Sequence, residues 1–344
     1  MKTHKKPSDI KVGVIGYGGA FNMGRQHLKE MQAAGMTPVA VAEVDPSRLA
    51  VAKTDFPGIG TFPSVGAMLK GSPVDMVAII TPHNTHAPLA IECLNAGRHV
   101  VCEKPLAITT AEVDAMIRAA KKSGVMLSTY HNRHWDGRIL QAVDLVKKRK
   151  LIGDVFRIEC HKGGYSKPGE WWRTSRSISG GVLYDWGVHL LEYSLQLIDA
   201  PVAEVSGFAH EGFWGPQTQW KTDANEDEGF LVVRFKDAQW LTLTITHLDS
   251  KAKEGWIEIT GTKGTVVIDG AHTTTHQHLK GRTVTTCYKN PPDEGFRYYE
   301  NVAAFLTNKA PLIITAEWSR RPIHILDLAA RSAKSGKAIP AKYG

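Results

Sequence analysis

The sequence predicts an α/β fold, with an N-terminal doubly wound parallel sheet and a C-terminal α+β domain built on a large, mostly antiparallel open sheet. Across about residues 8–130, short apolar strands alternate with helices, which is typical of parallel strands covered on both faces. From about residue 131 onward, strand follows strand and one face of each is apolar. We therefore expect two domains, residues 1–130 and 131–344.

An apolar strand near the N-terminus ends in a glycine-rich turn, and a helical pattern follows it. Gly16 allows a tight turn and Gly18 lets the backbone approach a pyrophosphate, so this stretch predicts a Rossmann dinucleotide-binding element. In the usual G-x-G-x-x-G spacing the third glycine would fall at Phe21, so we infer three extra residues before Gly24. The turn residues expected to contact the dinucleotide are Gly16, Gly18, Gly19, Ala20, Phe21, Asn22 and Met23.

An acidic residue, Glu43, ends the second predicted strand about 20 residues beyond the turn, where the dinucleotide fingerprint expects one. Its carboxylate can accept hydrogen bonds from both ribose hydroxyls, and it would repel a 2′-phosphate. The next residue, Val44, supplies no cation for that phosphate, whereas Arg48 could supply one. NAD is therefore the expected cofactor, and NADP is less favoured.

The rest of the first domain is delimited by capping residues. Asp45 and Pro46 open a helix, and Gly97 and Gly124 end two others. Helices are expected at 45–55, 64–70, 87–96 and 109–123, and strands at 61–62, 74–80, 99–102 and 125–130.

The second half has a different periodicity. Leu241, Leu243 and Ile245 alternate with threonines, which indicates a strand with one packed face. The opposite face could pair with a second subunit. Helices are expected at 134–150, 180–199, 294–308 and 315–335, and strands at 154–161, 205–210, 229–235, 239–248, 256–260, 265–268 and near Thr274 and Thr283.

Composition excludes several classes of protein. The net charge is +8, but the lysines and arginines are scattered along the sequence. The densest run, Lys147–Lys150, lies at the C-terminal end of a predicted helix, where positive charges complement the helix dipole. We therefore expect no nucleic-acid partner. The sequence contains no apolar run of membrane-spanning length and no apolar signal segment in its first ten residues. The four cysteines lack C-x-x-C spacing and fit free thiols in a reducing compartment. A cytoplasmic protein without a membrane partner is expected.

A metal site is not expected. His276 and His278 would share a strand face, as metal ligands can, with His272 nearby. No carboxylate or cysteine completes a ligand set there, so the sequence does not predict a metal ion.

Three polar segments follow successive predicted strands of the first domain, and ligands of such sheets lie beyond the carboxyl ends of the strands. Because Pro105 restricts Lys104 to an extended backbone, the lysine side chain is aimed in one direction. Most lysines lie on the protein surface, so Lys104 alone does not indicate a ligand site. It indicates one only together with the polar segments that follow the neighbouring strands. The three segments are Thr81-Pro82-His83-Asn84-Thr85-His86, Glu103-Lys104-Pro105 and His131-Asn132-Arg133-His134.

A further pair of polar residues, Asp185 and His189, lies four apart on a predicted helix and therefore on one face. The preceding Gly180-Gly181 lets the chain approach another group closely. A histidine beside an oriented carboxylate suits proton transfer. A helix-surface pair, or a buried histidine with a satisfied partner, is the alternative that these residues alone leave open.

Taken together, these motifs resemble the Gfo/Idh/MocA family, named after glucose–fructose oxidoreductase and inositol dehydrogenase. The resemblance extends over nearly the whole chain. The matching residues are Gly16–Gly24, Thr81-Pro82 with His86, the stretch Gly97–Pro105 that ends in Glu103-Lys104-Pro105, Gly180-Gly181 with Asp185 and His189, Trp172-Arg173, Gly261–Thr265 and Arg331–Gly336.

The resemblance implies that Lys104, Asp185 and His189 form the catalytic group of an NAD(P)-dependent oxidoreductase. It also implies a C-terminal open sheet used to assemble a homodimer or homotetramer. The expected cofactor contacts beyond the glycine turn are Glu43, Val44, Arg48, Thr81, Pro82, His83, His86, Glu103 and Lys104.

The expected reaction moves hydride between a carbohydrate hydroxyl and nicotinamide. His189 would accept the hydroxyl proton, Asp185 would orient His189, and Lys104 would stabilise the developing alkoxide. Each further candidate for a substrate contact could equally be an aromatic side chain packed in the core or a charged side chain exposed to solvent. Those expected contacts, besides the catalytic three, are His131, Arg133, Tyr165, Trp172, Arg173 and Tyr184.

Three functions fit these residues. The first is an NAD-dependent dehydrogenase of a sugar, cyclitol or glycoside. The second is a redox glycosidase that oxidises the C3 hydroxyl, eliminates the aglycone and returns the hydride, acting on an acidic or even sulfonated sugar. The third is a dinucleotide sensor without catalysis, and the presence of Lys104, Asp185 and His189 argues against it.

Overall fold

The computed structural model describes residues 3–251, 253 and 255–342, and the chain forms two units. The first unit contains the chain up to Asn132 together with Phe296–Arg320. The second contains Arg133–Gly295 and the residues from Arg321 onward. The sequence boundary assigned all residues after 130 to the second domain. The segment Phe296–Arg320 groups with the first unit, and an amphipathic sequence pattern does not say which sheet a helix packs on.

The first unit is built on a six-stranded parallel sheet with the strand order β3-β2-β1-β4-β5-β6. The order reverses between β1 and β4, and in doubly wound sheets this switch point is where ligands bind. The predicted Rossmann topology is confirmed. The elements are β1 Lys11–Ile15, α1 Met23–Ala33, β2 Thr37–Ala42, α2 Pro46–Asp55, β3 Gly60–Phe62, α3 Val65–Gly71, β4 Met76–Ile79, α4 His86–Asn95, β5 His99–Cys102, α5 Thr110–Ser123 and β6 Leu127–Thr129.

Local chemistry accounts for the helix ends of the first unit. The Asp45 side chain accepts a hydrogen bond from the Ser47 N–H at 2.8 Å and begins α2. Thr109 and Glu112 form a reciprocal capping box at the start of α5. Each such cap stabilises a helix by about 1 kcal/mol. Gly124 ends α5 with a φ of +65°, which a glycine adopts without strain.

The second unit is built on a nine-stranded sheet with the order β14-β13-β12-β11-β7-β10-β9-β8-β15, in which β7 and β10 are parallel and the other pairs antiparallel. The predicted open, mostly antiparallel sheet is confirmed. The elements are α6 Gly137–Val143, β7 Val155–Gly163, α7 Arg176–Ser179, α8 Leu183–Leu195, β8 Val202–His210, β9 Glu228–Phe235, β10 Trp240–Thr246, β11 Ile257–Gly261, β12 Gly264–Ile268, β13 His272–Leu279, β14 Arg282–Lys289, α9 Arg297–Leu306, α10 Ala316–Ser335 and β15 Ile339–Pro340, of which α9 and the start of α10, up to Arg320, lie in the first unit.

One face of the nine-stranded sheet is packed, as the alternation in β10 predicts. Leu241, Leu243 and Ile245 are buried, and α8 covers them. A Cβ atom added to Gly187 of α8 would come 3.1 Å from Leu243 Cδ2, so the helix lies close against the sheet. Burial of such side chains contributes about 1.5–3 kcal/mol each.

Two predicted helices begin or break at different places in the structure. The segment expected as one helix from His134 starts with a short 3-10 turn at Asn132–Trp135, and α6 ends in a π-helical turn at Asp144–Lys148. The stretch expected as a helix from Gly180 is broken there, because Gly180 and Gly181 have φ of +96° and +128°.

Within the described ranges, the structure has no helix that combines the length and the apolarity needed to cross a bilayer.

Candidate active site

The glycine turn after β1 depends on the backbone at Gly16. Its φ is +96°, and its N–H donates to the Ala42 carbonyl at 2.9 Å. A Cβ atom there would come 2.4 Å from the Ile80 carbonyl oxygen, which no side chain tolerates. The turn therefore passes directly over the end of β4 at the switch point of the sheet.

The sequence interpretation of Gly24 as the third glycine agrees with the structure. A Cβ atom at Gly24 would lie 2.7 Å from the Gly16 carbonyl oxygen and 2.8 Å from Tyr17 Cδ2. The start of α1 is thus close to the turn, in spite of the three additional residues. The residues 18–22 are exposed, and a Cβ atom at Gly18 would meet nothing within 4 Å, so the backbone there is open to a ligand.

A buried tyrosine supports the turn from below. The Tyr17 hydroxyl donates to Asp55 Oδ2 at 2.7 Å, and Arg25 Nε donates to the same oxygen at 2.7 Å. Burial, together with the hydrogen bond to Asp55, raises the pKa of Tyr17 to about 12. The Tyr17 carbonyl accepts a hydrogen bond from Arg48 Nε at 2.9 Å, so the turn is fixed on two sides.

Glu43 follows β2 and reaches the glycine turn. Its Oε2 accepts the Tyr17 N–H at 2.6 Å, while Oε1 accepts the N–H groups of Val44 and Asp45 at 2.7 and 3.1 Å. Oε1 thus uses both of its lone-pair sites, whereas Oε2 keeps one for another donor. Val44 is 84% exposed beside this carboxylate. Arg48 also approaches Asn22, with Nη2 3.4 Å from its Oδ1.

The loop after β4 is connected to the loop after β5 by His86. The His86 Nε2 lies 2.9 Å from the Thr81 carbonyl oxygen, and Nδ1 lies 2.8 Å from the Pro105 carbonyl oxygen. The Thr85 hydroxyl donates to Thr81 Oγ1 at 2.6 Å. His86 and His83 are buried, whereas Thr81 and Pro82 are half-exposed. The two histidines therefore build the loop, and Thr81 and Pro82 are open to a ligand.

Glu103 is anchored inside the first unit. Its Oε1 lies 3.1 Å from His27 Nε2, and His27 Nδ1 lies 2.5 Å from the Tyr299 hydroxyl of α9. Its Oε2 accepts the Lys104 N–H at 2.9 Å. Burial opposes ionisation of Glu103, but the contacts with His27 and Lys104 outweigh it and hold the pKa of Glu103 below its ordinary value. This carboxylate thus fixes the backbone at Lys104, whose bond to Pro105 is cis.

In the second unit, the glycine pair before α8 lies close to the side chain of Glu226. A Cβ atom at Gly181 would come 2.9 Å from Glu226 Oε2, which also accepts the Val182 N–H at 3.0 Å. This contact directs the start of α8, and Asp185 and His189 then fall on one face of the helix. The side chain of Asp185 is 42% exposed, and His189 is 6% exposed.

The predicted substrate residues fall into separate groups. Arg173 Nε lies 3.7 Å from Asp185 Oδ1, and its guanidinium carbon lies 4.7 and 4.4 Å from the ring centroids of Trp171 and Trp172. Tyr165 is exposed and packs against Trp214, with ring centroids 5.5 Å apart. The structure therefore brings Arg173 and Trp172 to Asp185, and Tyr165 to a different aromatic cluster.

The other predicted substrate residues differ in exposure. Tyr184 in α8 is 3% exposed and His131 after β6 is 1% exposed, so little of either surface can meet a ligand. Arg133 is half-buried, and its Nη1 lies 3.2 Å from Asp136 Oδ2. Of this group, the position of Arg133 is the most open.

Several functional candidates have no sequence signal of their own. Lys162 at the end of β7 lies over Trp186 and Trp256, and no sequence motif predicts this contact. Trp186 stands inside the Asp185–His189 segment and could have been noticed there. Nothing local in the sequence connects Lys162 to it, because the two residues lie on different elements.

A metal centre has no structural basis in the described parts of the chain, where no group of three or more histidine, cysteine, aspartate or glutamate side chains converges. His276 Nδ1 instead lies 3.0 Å from the Thr285 hydroxyl on the neighbouring strand.

Comparison with known families accounts for most of the chain. Residues 10–131 match the Gfo/Idh/MocA model described as an oxidoreductase family with an NAD-binding Rossmann fold. Residues 144–342 match the companion description, the C-terminal α/β domain of that oxidoreductase family.

Individual relatives are more distant. The chain is similar to the scyllo-inositol 2-dehydrogenase (NADP(+)) IolW of Bacillus subtilis, with 30% identity over 207 residues that cover 59% of this chain and 56% of that enzyme. It is similar to the myo-inositol 2-dehydrogenase of Thermotoga maritima, with 29% identity over 271 residues that cover 77% of each. For IolW and several other curated relatives, the match spans only 41–56% of the relative's length.

A solved structure matches over nearly the full chain. An NAD-binding protein from Listeria innocua has a TM-score of 0.80 and 26% identity, covering 96% of this chain and 97% of that one.

Proposed function

This chain belongs to the Gfo/Idh/MocA family of oxidoreductases, and from that premise we propose that it transfers hydride between NAD and a hydroxyl of a sugar, cyclitol or glycoside. The observation that carries the proposal is the glycine turn at the switch point of the parallel sheet, with open backbone at Gly18 and an acid, Glu43, beside it. These features fit the pyrophosphate and the ribose of a dinucleotide. Two relatives named as inositol dehydrogenases support the substrate class.

The choice of NAD over NADP follows from the surroundings of Glu43. Its carboxylate is held in place by three backbone N–H groups, and Oε2 can still accept a hydrogen bond from a ribose hydroxyl, whereas a 2′-phosphate would meet its negative charge. Arg48 is the cation that could offset this charge, but its Nε already donates to the Tyr17 carbonyl. The relative IolW is named as NADP-dependent, so measured affinities for both cofactors decide this point.

The cofactor site that we propose includes the turn residues 16 and 18–23, which a ligand can reach over Gly18–Asn22. Bound NAD would supply the hydride acceptor. Its further contacts would be Glu43, Val44, Arg48, Thr81 and Pro82, with His83, His86 and Glu103 shaping the loops rather than facing the ligand.

The proposed proton chemistry uses three side chains. When a carbinol is oxidised, its O–H and C–H bonds break and a carbonyl forms; the proton passes to the His189 imidazole, and the hydride leaves with both electrons. Asp185, on the same face of α8, would orient that imidazole and balance its charge. Lys104 would donate a hydrogen bond to the hydroxyl oxygen, which stabilises the negative charge that develops there. Arg173, which contacts Asp185, would assist in positioning the substrate.

A turnover assay tests this proposal. The full chain is mixed with NAD and a panel of inositols, sugars and glycosides, and NADH formation is followed by its near-ultraviolet absorbance. Net NADH with at least one hydroxyl substrate, abolished in Lys104→Met and His189→Ala, is the expected result. A rate close to that of the wild type in His189→Ala would contradict the assigned proton acceptor.

The redox glycosidase is distinguished in the same assay. Chromogenic glycosides would release their aglycone without net NADH, because the hydride returns to the sugar. If neither signal occurs and NAD still binds, a dinucleotide sensor is the better explanation.

We also propose that the outer face of the nine-stranded sheet joins a second copy of this chain. Phe208 is 57% exposed and packs on Phe230, and Trp240 is 36% exposed and packs on Phe156. Exposed aromatic patches of this kind mark interaction sites. Light scattering should find a dimer or tetramer, and Phe208→Ser with Trp240→Ser should shift it to monomer. A monomeric wild type would refute this assembly.

A further inference from the structure

Two tryptophans of the second unit hold three cations. The rings of Trp186 and Trp256 meet edge to face with centroids 5.6 Å apart. The Lys162 amine lies 4.0 Å from the Trp186 centroid and 5.4 Å from that of Trp256. The guanidinium carbon of Arg133 lies 5.2 Å from the Trp186 centroid, and that of Arg138 lies 4.5 Å from the Trp256 centroid. Cation–π attraction favours such arrangements but does not neutralise the charges.

Several carboxylates partly balance this cation cluster: Asp185 acts through its charge on Lys162, Asp269 interacts electrostatically with Arg138, and Asp293 lies near Asp136. Asp136 Oδ2 serves both arginines, at 3.2 Å from Arg133 and 3.4 Å from Arg138, and also accepts the Tyr193 hydroxyl at 2.8 Å. In the part of the chain that the structure describes, no carboxylate forms an ion pair with the Lys162 amine. The charge of Asp185 acts on Lys162, and Asp185 contacts Arg173 at 3.7 Å.

The Lys162 amine is partly removed from water. Burial lowers the pKa of Lys162 from its ordinary value, Asp185 raises it, and Arg133 lowers it further. The side chain is half-buried between the indole rings. A cation in this state gains more from an anionic ligand than a fully hydrated lysine does, because part of its desolvation has already occurred.

The cluster adjoins the proposed proton acceptor. Trp186 lies between Asp185 and His189 in α8, and its ring centroid is 5.6 Å from that of His189. Lys162 is also held firmly in β7. A Cβ atom on the next residue, Gly163, would come 2.6 Å from Thr246 Cγ2, so the strand end is tightly packed. The Lys162 side chain therefore extends from a fixed strand end to Trp186 of α8.

We propose that Lys162, with Arg133 beside it on Trp186, is an anion-binding subsite that selects a carbohydrate carrying a negatively charged group. This inference rests on the proposed function and specifies its substrate class. The anion would bind the Lys162 amine, and the Arg133 guanidinium would add a second positive charge beside it. A carboxylate, a sulfonate and a phosphate share this chemistry.

Binding measurements test the subsite without turnover. Titration calorimetry on the full chain with saturating NADH compares glucuronate, a glucose sulfonate and a glucose phosphate with neutral glucose. At least one anionic sugar should bind about 10- to 100-fold more tightly than glucose, and added salt should weaken this preference. The three anionic probes show which acid group fits.

Three variants isolate the charge of Lys162. In Lys162→Met, which keeps the apolar stem, the preferred anionic sugar should bind about 10-fold or more weakly while glucose changes little. Lys162→Arg should retain the preference, which separates charge from packing. Lys147→Met is the matched control, since Lys147 is another half-buried lysine of this unit that pairs with Asp199 at 2.7 Å, and it should bind like the wild type.

The outcomes separate this inference from the proposed function. An equal affinity of the wild type for charged and neutral sugars, or an unchanged preference in Lys162→Met, would overturn the anion subsite. Oxidation of neutral sugars or inositols would leave the proposed function standing in that case. Conversely, an anion preference that depends on Lys162, without NADH formation from any sugar, would support the subsite and refute the dehydrogenase.

Discussion

The two units of this protein differ in what their polar side chains contact. In the first unit, Glu43, His86 and Glu103 are bonded largely to backbone groups of their own unit. In the second, Lys162 and Arg133 lie against an indole ring, and among the described residues no carboxylate forms an ion pair with the Lys162 amine. Backbone-bonded groups give a rigid and generic cofactor site. Partly desolvated cations on aromatic rings can still bind an anionic ligand. We therefore expect the second unit to determine which substrate is bound.

The largest effect should come from the second unit. Removing the imidazole in His189→Ala takes away the proposed proton acceptor, so kcat should fall about 1000-fold. NAD affinity should change by less than about 2-fold, because in this comparison the cofactor is held by the first unit. Steady-state kinetics and NADH fluorescence titration measure the two quantities. A large loss of NAD affinity would show that the units do not divide their roles in this way.

The next effect should come from the backbone of the first unit. In Gly16→Ala, the new Cβ would overlap the Ile80 carbonyl at 2.4 Å, at a φ of +96°. We expect a loss of about 3 kcal/mol or more in the free energy of unfolding, measured with denaturant.

Gly18→Ala is the matched control for that experiment. Its Cβ meets nothing within 4 Å, so stability should stay within about 0.5 kcal/mol while NAD affinity drops. Equal stability losses in both variants would contradict the assignment of separate roles to the two glycines.

A smaller effect is expected at the ribose. Glu43→Ala should weaken NAD binding about 10-fold, because a hydrogen-bond acceptor for the ribose is lost and the turn loses a bond to the Tyr17 N–H. The affinity for NADP should rise relative to that for NAD, since the repelling charge is gone. Titrations with both reduced cofactors measure the ratio. A variant with an unchanged ratio would show that Glu43 does not discriminate between them.

The smallest effect concerns the support of the turn. Tyr17→Phe removes the hydrogen bond to Asp55 and should cost about 1 kcal/mol of unfolding free energy at neutral pH. The pKa of Tyr17 is raised to about 12 by burial and by Asp55. The neutral Tyr17 phenol therefore contributes its full share of the unfolding free energy below about pH 10, which is the pKa of tyrosine in the unfolded chain. This contribution is lost as the pH rises towards about 12.

The pH series checks the sign of this effect. Wild type should lose stability between about pH 10 and 12 more steeply than Tyr17→Phe. Tyr288→Phe, on a half-exposed residue of β14, leaves the Tyr17 contact intact and should follow the wild type. Parallel curves for wild type and Tyr17→Phe would contradict the raised pKa.

Most of the first unit could be predicted because its signals are local. Asp45, Thr109 and Gly124 are at the helix ends where they were expected. The additional residues before Gly24 were also interpreted correctly, since the helix start does pack on the turn. The contact of His27 with Glu103 could not be predicted, because a buried histidine in α1 gives no sign of its partner on a later loop.

The second unit was predicted less completely. The alternation of Leu241 and Leu243 gave the packed face of β10, but the break at Gly180 and the π-helical turn after α6 were missed. The roles of Lys104, Asp185 and His189, the domain limits and the oligomeric state stay predictions. The His86 and Glu103 side chains are engaged in holding loops, which their positions in the motifs did not reveal.

By itself, the sequence determined the parallel sheet, the glycine turn, the acid after β2 and the face of α8 that carries Asp185 and His189. These features follow from periodicity, capping and backbone freedom, which act between residues close together in the chain. Only the tertiary structure decided that Lys162 lies on Trp186 and Trp256, and that Phe296–Arg320 returns to the first unit. Such contacts depend on how distant elements pack, and no local pattern records that packing.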